Sequence, residues 1–367
     1  MPRASGSPLR VSTPGRVCLF GEHQDYLLLP VIPCAISRRI AVEGTPRTDH
    51  EVHLDLPDIG SGDSFTLGVP LAYGAERDYF RSSINVLLRK GYAFRHGYDC
   101  IVRGNIPINS GTSSSSALIV SWINFLARSS DTPVELAPFE LARLAHEAEV
   151  VEFGEPGGMM DHFSTSFGGV VFLEFFPEIS VRPLEVQLST FVLGDSGEPK
   201  DTKGILARVK NGVLHAVERL RGIDDRFSLQ TAGHERIDRL ARHLSVEECG
   251  LLHGTLRNRD LTREALSLLE SAPFDHRGFG RLLSEHQEVL REVLRISTPK
   301  IDRMLTAALA AGAYGGKING SGGGGCMFVY APEEPERVAA AIEREGGKAY
   351  VVTADAGSRL ESAETRT

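Results

Sequence analysis

Residues Pro107 to Leu126 read Pro-Ile-Asn-Ser-Gly-Thr-Ser-Ser-Ser-Ser-Ala-Leu-Ile-Val-Ser-Trp-Ile-Asn-Phe-Leu. The first half, Asn109 to Ser116, is small and polar. The second half is apolar on almost every side: Ala117, Leu118, Ile119, Val120, Trp122, Ile123, Phe125, Leu126. A helix apolar all round is a buried one, and serines cap helices better than they sit inside them. The pattern therefore predicts a buried helix that starts within the serine run, its first free N–H groups facing a Gly111-containing loop. Uncovered N–H groups at a helix start attract anions. The hydroxyls of Ser114 and Ser115 also suit magnesium, which prefers oxygen ligands. Two readings stay open here, a phosphate cradle or an ordinary N-cap before a core helix. Serine caps are common, so on this stretch alone the second is the plainer.

Downstream, Pro133 to Glu149 has a one-sided apolar stripe and predicts a helix with Glu149 at its far end. Next comes Gly154-Glu155-Pro156-Gly157-Gly158-Met159-Met160-Asp161-His162-Phe163. Its glycines let backbone approach a ligand. Asp161, set after two methionines, is either a carboxylate tuned to accept a proton or orient a hydroxyl, or the cap of a short helix. Upstream, Arg16 to Phe20 predicts a strand, ended by Gly21 and the cluster Glu22, His23, Gln24, Asp25, Tyr26. Those side chains form a polyol or acid/base constellation, or a solvated hairpin tip. The apolar Leu27-Leu28-Leu29-Pro30 that follows favours a covered site. Strands are expected at Cys34–Val42, His53–Leu56, Tyr98–Val102, Gly168–Phe175, Thr190–Gly194, Tyr314–Asn319, Cys326–Tyr330 and Ala349–Thr353. Helices are expected at Glu76–Tyr92, Ile205–Arg221, Glu235–Leu244, Leu261–Leu269, Phe279–Leu294 and Glu333–Glu345. The turn to helix after about residue 185 marks a domain boundary, giving domains 11–185 and 186–355, with flexible ends at 1–10 and 356–367.

Composition narrows the function. Lys and Arg total 40 against 48 Asp and Glu in 367 residues, a formal charge of −8, which argues against a general nucleic-acid binder. An apolar fraction of 41% places the chain among soluble globular proteins. No apolar run approaches a membrane span, and Met1 to Arg10 lacks the apolar core of a secretory signal. The five scattered cysteines contain no Cys-x-x-Cys pair and read as reduced thiols of a cytoplasmic protein. Several motifs fail. Lys317 is followed by Ile318, not the Ser or Thr of a Walker A loop. Val150 stands where a zinc helix needs its second histidine. No Gly-x-Ser-x-Gly elbow occurs, and no dinucleotide fingerprint follows the first strand.

Taken in order, three stretches resemble the GHMP-type small-molecule kinases, the family of galactokinase, homoserine kinase, mevalonate kinase and phosphomevalonate kinase. Pro14-Gly15-Arg16-Val17-Cys18-Leu19-Phe20-Gly21-Glu22-His23-Gln24-Asp25-Tyr26 is similar to the galactokinase signature Gly-Arg-Val-Asn-Leu-Ile-Gly-Glu-His-Thr-Asp-Tyr. Pro107 to Ala117 is similar to Pro-x-x-x-Gly-Leu-Ser-Ser-Ser-Ala, and Lys317 to Cys326 to the family's C-terminal glycine motif. Gly158-Met159-Met160-Asp161 is close to Gly-Ile-Met-Asp. The resemblance implies an α+β, two-domain fold: an N-terminal domain like ribosomal protein S5 domain 2, and a ferredoxin-like C-terminal domain, with the active site in the cleft. It implies ATP, Mg2+ and transfer to a hydroxyl of a small-molecule sugar, expected at the anomeric position. Asp161 would be the catalytic carboxylate and Arg16 its partner. Glu22, His23, Asp25, Gly158 and Asp161 would contact the sugar. Asn109, Ser110, Gly111, Thr112, Ser113, Ser114, Ser115 and Ser116 would wrap the ATP phosphates. Ser114, Ser115 and Glu149 would hold the metal. The assembly is expected to be a monomer or homodimer. Departures bear on the sugar. Leu27 to Leu29 replace Asn-Gly-Gly, which predicts a bulkier, more apolar loop beside it. No equivalent of the second-domain tyrosine is found, and Asp195 to Lys203 looks like the mevalonate-kinase version of that region. The alternatives are a mevalonate-type kinase and a non-catalytic sugar- and ATP-binding regulator.

Overall fold

The computed structural model describes residues 8–68, 70–200 and 202–362. Two sheets organise them. The first contains β1 (Leu9–Phe20), β2 (Ile32–Pro46), β3 (Glu51–Leu56), β4 (Ser61–Thr66), β5 (Tyr98–Gly104), β6 (Val170–Glu174) and β7 (Ser180–Leu184). The second contains β8 (Phe191–Asp195), β9 (Gly315–Ile318), β10 (Cys326–Tyr330) and β11 (Lys348–Val352) in the order β11-β8-β10-β9. A last strand, β12 (Arg359–Leu360), returns to the first sheet, whose main path is β12-β1-β2-β5-β3-β4, with β6 on β2 and β7 on β6. The chain passes from one sheet to the other between Leu184 and Phe191.

Helices α1 (Tyr79–Arg89), α2 (Ser114–Ser129), α3 (Pro138–His146) and α4 (Met160–Phe167) belong to the first unit. Helix α2 is its axle: Trp122, Ile123, Phe125 and Leu126 are almost fully buried, and the Trp122 and Phe125 rings stack with centroids 5.4 Å apart. The second unit adds α5 (Thr202–Arg221), α6 (His234–Leu240), α7 (Val246–Leu269), α8 (His276–Glu288), α9 (Pro299–Ala310) and α10 (Pro335–Arg344). Its core is led by Val213, Leu220, Leu252, Ile301, Met304 and Ile342.

Some expectations are corrected. Residues 1–7 and 363–367 lie outside the described residues, but the rest of the two expected flexible ends is built in. Leu9 and Arg10 open β1, and Val11 and Ser12 pair with Leu360 and Arg359. β4 and β7 carry no clear alternation: they are exposed edge strands, with only Phe65 buried in the first. Helix α7 begins well before Leu261, started by a capping box in which Ser245 accepts from the Glu248 N–H and Glu248 returns the bond. Leu27 and Leu29 bury themselves in the second unit's core and Leu28 faces outward, so this segment does not make the apolar wall expected beside the sugar.

Candidate active site

Strand β1 brings Arg16 to the floor of a cleft between the two units. Its side chain is buried, with Nη2 2.7 Å and Nε 2.9 Å from Asp161 Oδ1. Burial alone would push the Asp161 carboxyl up. The charge of Arg16, helped by His162 and the Ser113 hydroxyl, outweighs it and holds Asp161 below the usual carboxylate range. Asp161 is therefore an ionised acceptor near neutral pH, placed at the start of α4.

The serine-rich stretch forms a loop that ends in α2, as its composition suggests. Asn109 and Ser113 bracket it in the left-handed region, at φ 56° and 61°. Such strain in non-glycine residues persists only where the surroundings enforce it. The N-cap residue, Ser113, makes no side-chain hydrogen bond to the N–H groups that open α2. The eight residues expected to wrap phosphates divide. Asn109, Ser115 and Ser116 line the main cavity. Ser110 and Thr112 turn inward, both hydroxyls donating to the Pro107 carbonyl, at 2.8 and 3.2 Å. The Gly111 carbonyl accepts from Arg16 Nη1 and from Asn319 Nδ2, and a Cβ on Gly111 would stand 2.6 Å from the Asn319 carbonyl. Ser113 is buried beside Asp161. Ser114 faces a second cavity, not Glu149, so among the expected metal contacts it is Ser115 that stands beside that carboxylate.

The glycine-rich loop of the second unit packs on the back of this loop. Cys326 N–H donates to the Ser110 carbonyl at 2.7 Å, and Asn319 joins the Cys18 N–H to the Gly111 carbonyl. Glu22 and His23 take part in the same seam. Glu22 is 2.8 Å from Lys317 Nζ, with both side chains essentially without exposure, and its other oxygen accepts from Gly320 N–H. His23 contacts the Tyr26 hydroxyl at 2.7 Å and the Ser321 carbonyl at 3.0 Å. Both side chains line the cavity, but their polar atoms already have protein partners. Asp25 is the carboxylate of the signature that faces the cleft. Burial first, then the charge of Asp161, raise its pKa. Its Oδ2 accepts from Met160 N–H, and Gly158 makes room: a Cβ there would sit 1.8 Å from that oxygen.

Glu149 lies in a π-turn (Glu147–Val151) that continues α3, a wide turn often found at functional sites. Burial pushes its carboxyl up, but the hydrogen bond and charge of His162, with the hydroxyls of Ser116 and Ser115, hold it below its ordinary value. An ionised carboxylate beside two hydroxyls at a helix start is an oxygen donor set that fits magnesium. Among the described residues no group of three or more His, Cys, Asp or Glu could hold a metal, so phosphate oxygens and water would complete the shell.

The main cavity measures about 730 Å3 and is lined by Arg16, Asp25, Ser115, Glu149, Asp161 and their neighbours. A second cavity of about 240 Å3, lined by Ile40, Val102, Ile106, Ile108 and Leu118, shares Tyr79, Asn109 and Ser115 with it. Sequence reasoning missed Lys200, Lys317, Asn319 and His162. Lys200 lines the cavity and has no hydrogen-bond or ion-pair partner among the described residues; burial lowers its pKa, and it feels both Arg16 and Asp161. It stands in the segment Asp195 to Lys203, whose Asp201 lies outside the described residues. Lys317 and Asn319 lie in the glycine motif, and nothing local to it shows that they reach Glu22 and the Gly111 carbonyl.

Models of known families match three segments: "Galactokinase galactose-binding signature" at 3–46, "GHMP kinases N terminal domain" at 78–169 and "GHMP kinases C terminal" at 264–349. The chain is 30% identical to the galactokinase of Streptomyces coelicolor over 337 residues, 87% of this chain and 83% of that protein. It is 26% identical to the mevalonate kinase of Thermococcus sibiricus, covering 93% and 94%. Among solved structures, galactokinase of Lactococcus lactis complexed with galactose superposes with a TM-score of 0.85 at 22% identity, covering 97% and 95%. The mevalonate kinase of Methanococcus jannaschii gives 0.75 at 20%, covering 96% and 100%. At these identities the superpositions speak for the fold alone.

Proposed function

The chain belongs to the GHMP kinase family, and on that basis we propose that it is an ATP-dependent sugar kinase resembling galactokinase. It moves the γ-phosphoryl group of ATP to a sugar hydroxyl, the anomeric one of galactose or a related sugar. One observation carries the reading. Asp161, charge-paired with Arg16, shares a cavity with Asp25, Ser115, Ser116 and Glu149.

Phosphoryl transfer asks for positioning and charge neutralisation more than for covalent chemistry. Asp161 accepts the hydrogen bond of the acceptor hydroxyl and takes its proton as that oxygen bonds to the γ-phosphorus, while the bond from the γ-phosphorus to the β–γ bridging oxygen breaks and ADP leaves with its electron pair. Arg16 keeps Asp161 ionised. Together with Lys200 and the first N–H groups of α2, it opposes the negative charge of the transferred group. Glu149 and Ser115 would hold magnesium, which would supply charge neutralisation for the ATP phosphates when bound. The apolar second cavity suits a flat base such as adenine, next to the loop that takes its phosphates. Asp25 accepts hydrogen bonds from sugar hydroxyls. Glu22 and His23 support the sugar through the loop they pin. The protein acts on small molecules, and among the described residues no helix is long and apolar enough to cross a membrane.

A mevalonate-type kinase is the competing reading, because such kinases are also among the relatives. Asp25 opposes it, since a substrate carboxylate needs a cation there. Glu22, neutralised by Lys317, does not add to that distinction. A coupled ADP-release assay over galactose, other hexoses and mevalonate tests the proposal. Galactose or a close relative should have the highest kcat/KM. Preference for mevalonate would sink the sugar reading, and ATP binding without ADP release on any acceptor would point to a regulator.

Gly158→Ala tests the role of Asp25. The new methyl must displace Asp25 Oδ2, so the sugar KM should rise about tenfold or more, some 1.4 kcal/mol, with the ATP KM little changed. An equal rise in both constants would mean a general loss of cleft structure.

A further inference from the structure

We infer that His162 is a positioning residue for the divalent cation, orienting Glu149 so that one carboxylate oxygen is free to bind it; the inference rests on the kinase reading above. His162 is the third residue of α4 and is 2% exposed, with Nε2 2.8 Å from Glu149 Oε2. An ionised carboxylate can only accept. Nε2 therefore carries the proton and donates it, and its lone pair is not available to a metal. The imidazole ties up Oε2 and leaves Oε1 clear of it. Its other nitrogen, Nδ1, is buried and has no hydrogen-bond partner among the described residues. The His146 ring stands edge-on to His162, centroids 5.3 Å apart, and burial lowers its pKa to about 4, so it adds no competing positive charge near neutral pH.

The placement also links two jobs. Asp161 and His162 are adjacent on one helical turn, about 100° apart around the axis. Asp161 turns to Arg16, and His162 turns to Glu149. The turn is fixed by Thr165 Oγ1, which donates to the Asp161 carbonyl at 2.8 Å, and by Phe163, which is fully buried. A single short helix thus sets both the proton-accepting carboxylate and the metal-binding one. Partners in the outer shell of a metal commonly control affinity by about 10–100-fold.

The test compares His162→Leu with His162→Gln, whose amide can still donate to Glu149. Calorimetric titration of ADP at a series of magnesium concentrations gives the half-saturating magnesium for each protein. The Leu variant should need about 10–100-fold more magnesium than wild type, and the Gln variant should recover most of the difference. In turnover, the deficit of the Leu variant should shrink as magnesium rises. Melting curves in EDTA show whether each variant folds; if the Leu variant does not, the Gln variant must still bind magnesium nearly as wild type does. An unchanged magnesium requirement in the Leu variant, or a Gln variant as impaired as Leu, overturns the role of His162. ADP binding by the wild type that ignores magnesium overturns the metal assignment beneath it, and is distinguishable because it needs no variant.

Discussion

Asp161→Asn is expected to lower kcat by about 10²–10⁴-fold, the range for removing a positioned proton acceptor, while ATP and sugar still bind close to normally. Asparagine has nearly the same shape and keeps an oxygen for Arg16, whose Nη2 and Nε both reach one oxygen of Asp161. What it loses is the charge that lets it take a proton. Arg16 is then a buried guanidinium without its counter-ion. Some loss of thermal stability should accompany the loss of rate, so nucleotide binding must be measured on the same sample. Rapid-quench measurement of the chemical step separates this from slow product release. Turnover within a few-fold of wild type would remove Asp161 from the reaction and leave it a structural partner of Arg16.

The second large effect is on stability. Lys317→Met should cost about 3–5 kcal/mol, because it leaves the Glu22 carboxylate buried without its cation. Both side chains are essentially without exposure, and Lys317 also donates to the Ile318 carbonyl. The thermal midpoint should fall by roughly 5–10 °C. Adding Glu22→Gln should restore much of the loss, since the double variant buries no lone charge. A Lys317→Met protein that melts with wild type would mean that Glu22 is neutralised by other means. A double variant no better than the single one would mean that Lys317 matters for packing, not for charge.

The parts of the site that were legible in the sequence are those whose chemistry is local. Gly158-Met159-Met160-Asp161 and the serine run each declare themselves within a few residues. Facing was less readable. A helix turns 100° per residue, so whether Ser114 or Ser115 meets Glu149 depends on where α2 begins, and that start is set by Ser113 in the left-handed region. Pairings across the chain were not readable at all. Glu22 and Lys317 are 295 residues apart, and nothing near either one announces the other. Glu22 therefore looked like a sugar ligand when half of its role is to close a seam. Leu27 and Leu29 misled in the opposite direction: apolar residues beside a polar signature suggested a lining, and they instead enter the core of the other unit. Of the glycines between Gly320 and Gly325, Gly320 and Gly325 lie against Gly111 and Ser110, while Gly322 lies against Ile296 and Gly324 against Pro199, partners that no local pattern names.

The short strand β12 has a bearing on how the protein is made. β1 is the first strand among the described residues, yet Arg359 and Leu360, which cover its outer edge at Ser12 and Val11, are translated some 350 codons later. An uncovered strand edge is a template for pairing with other chains. Throughout synthesis the nascent first sheet thus carries that stretch of edge open, and a polypeptide that ends before Arg359 keeps it bare.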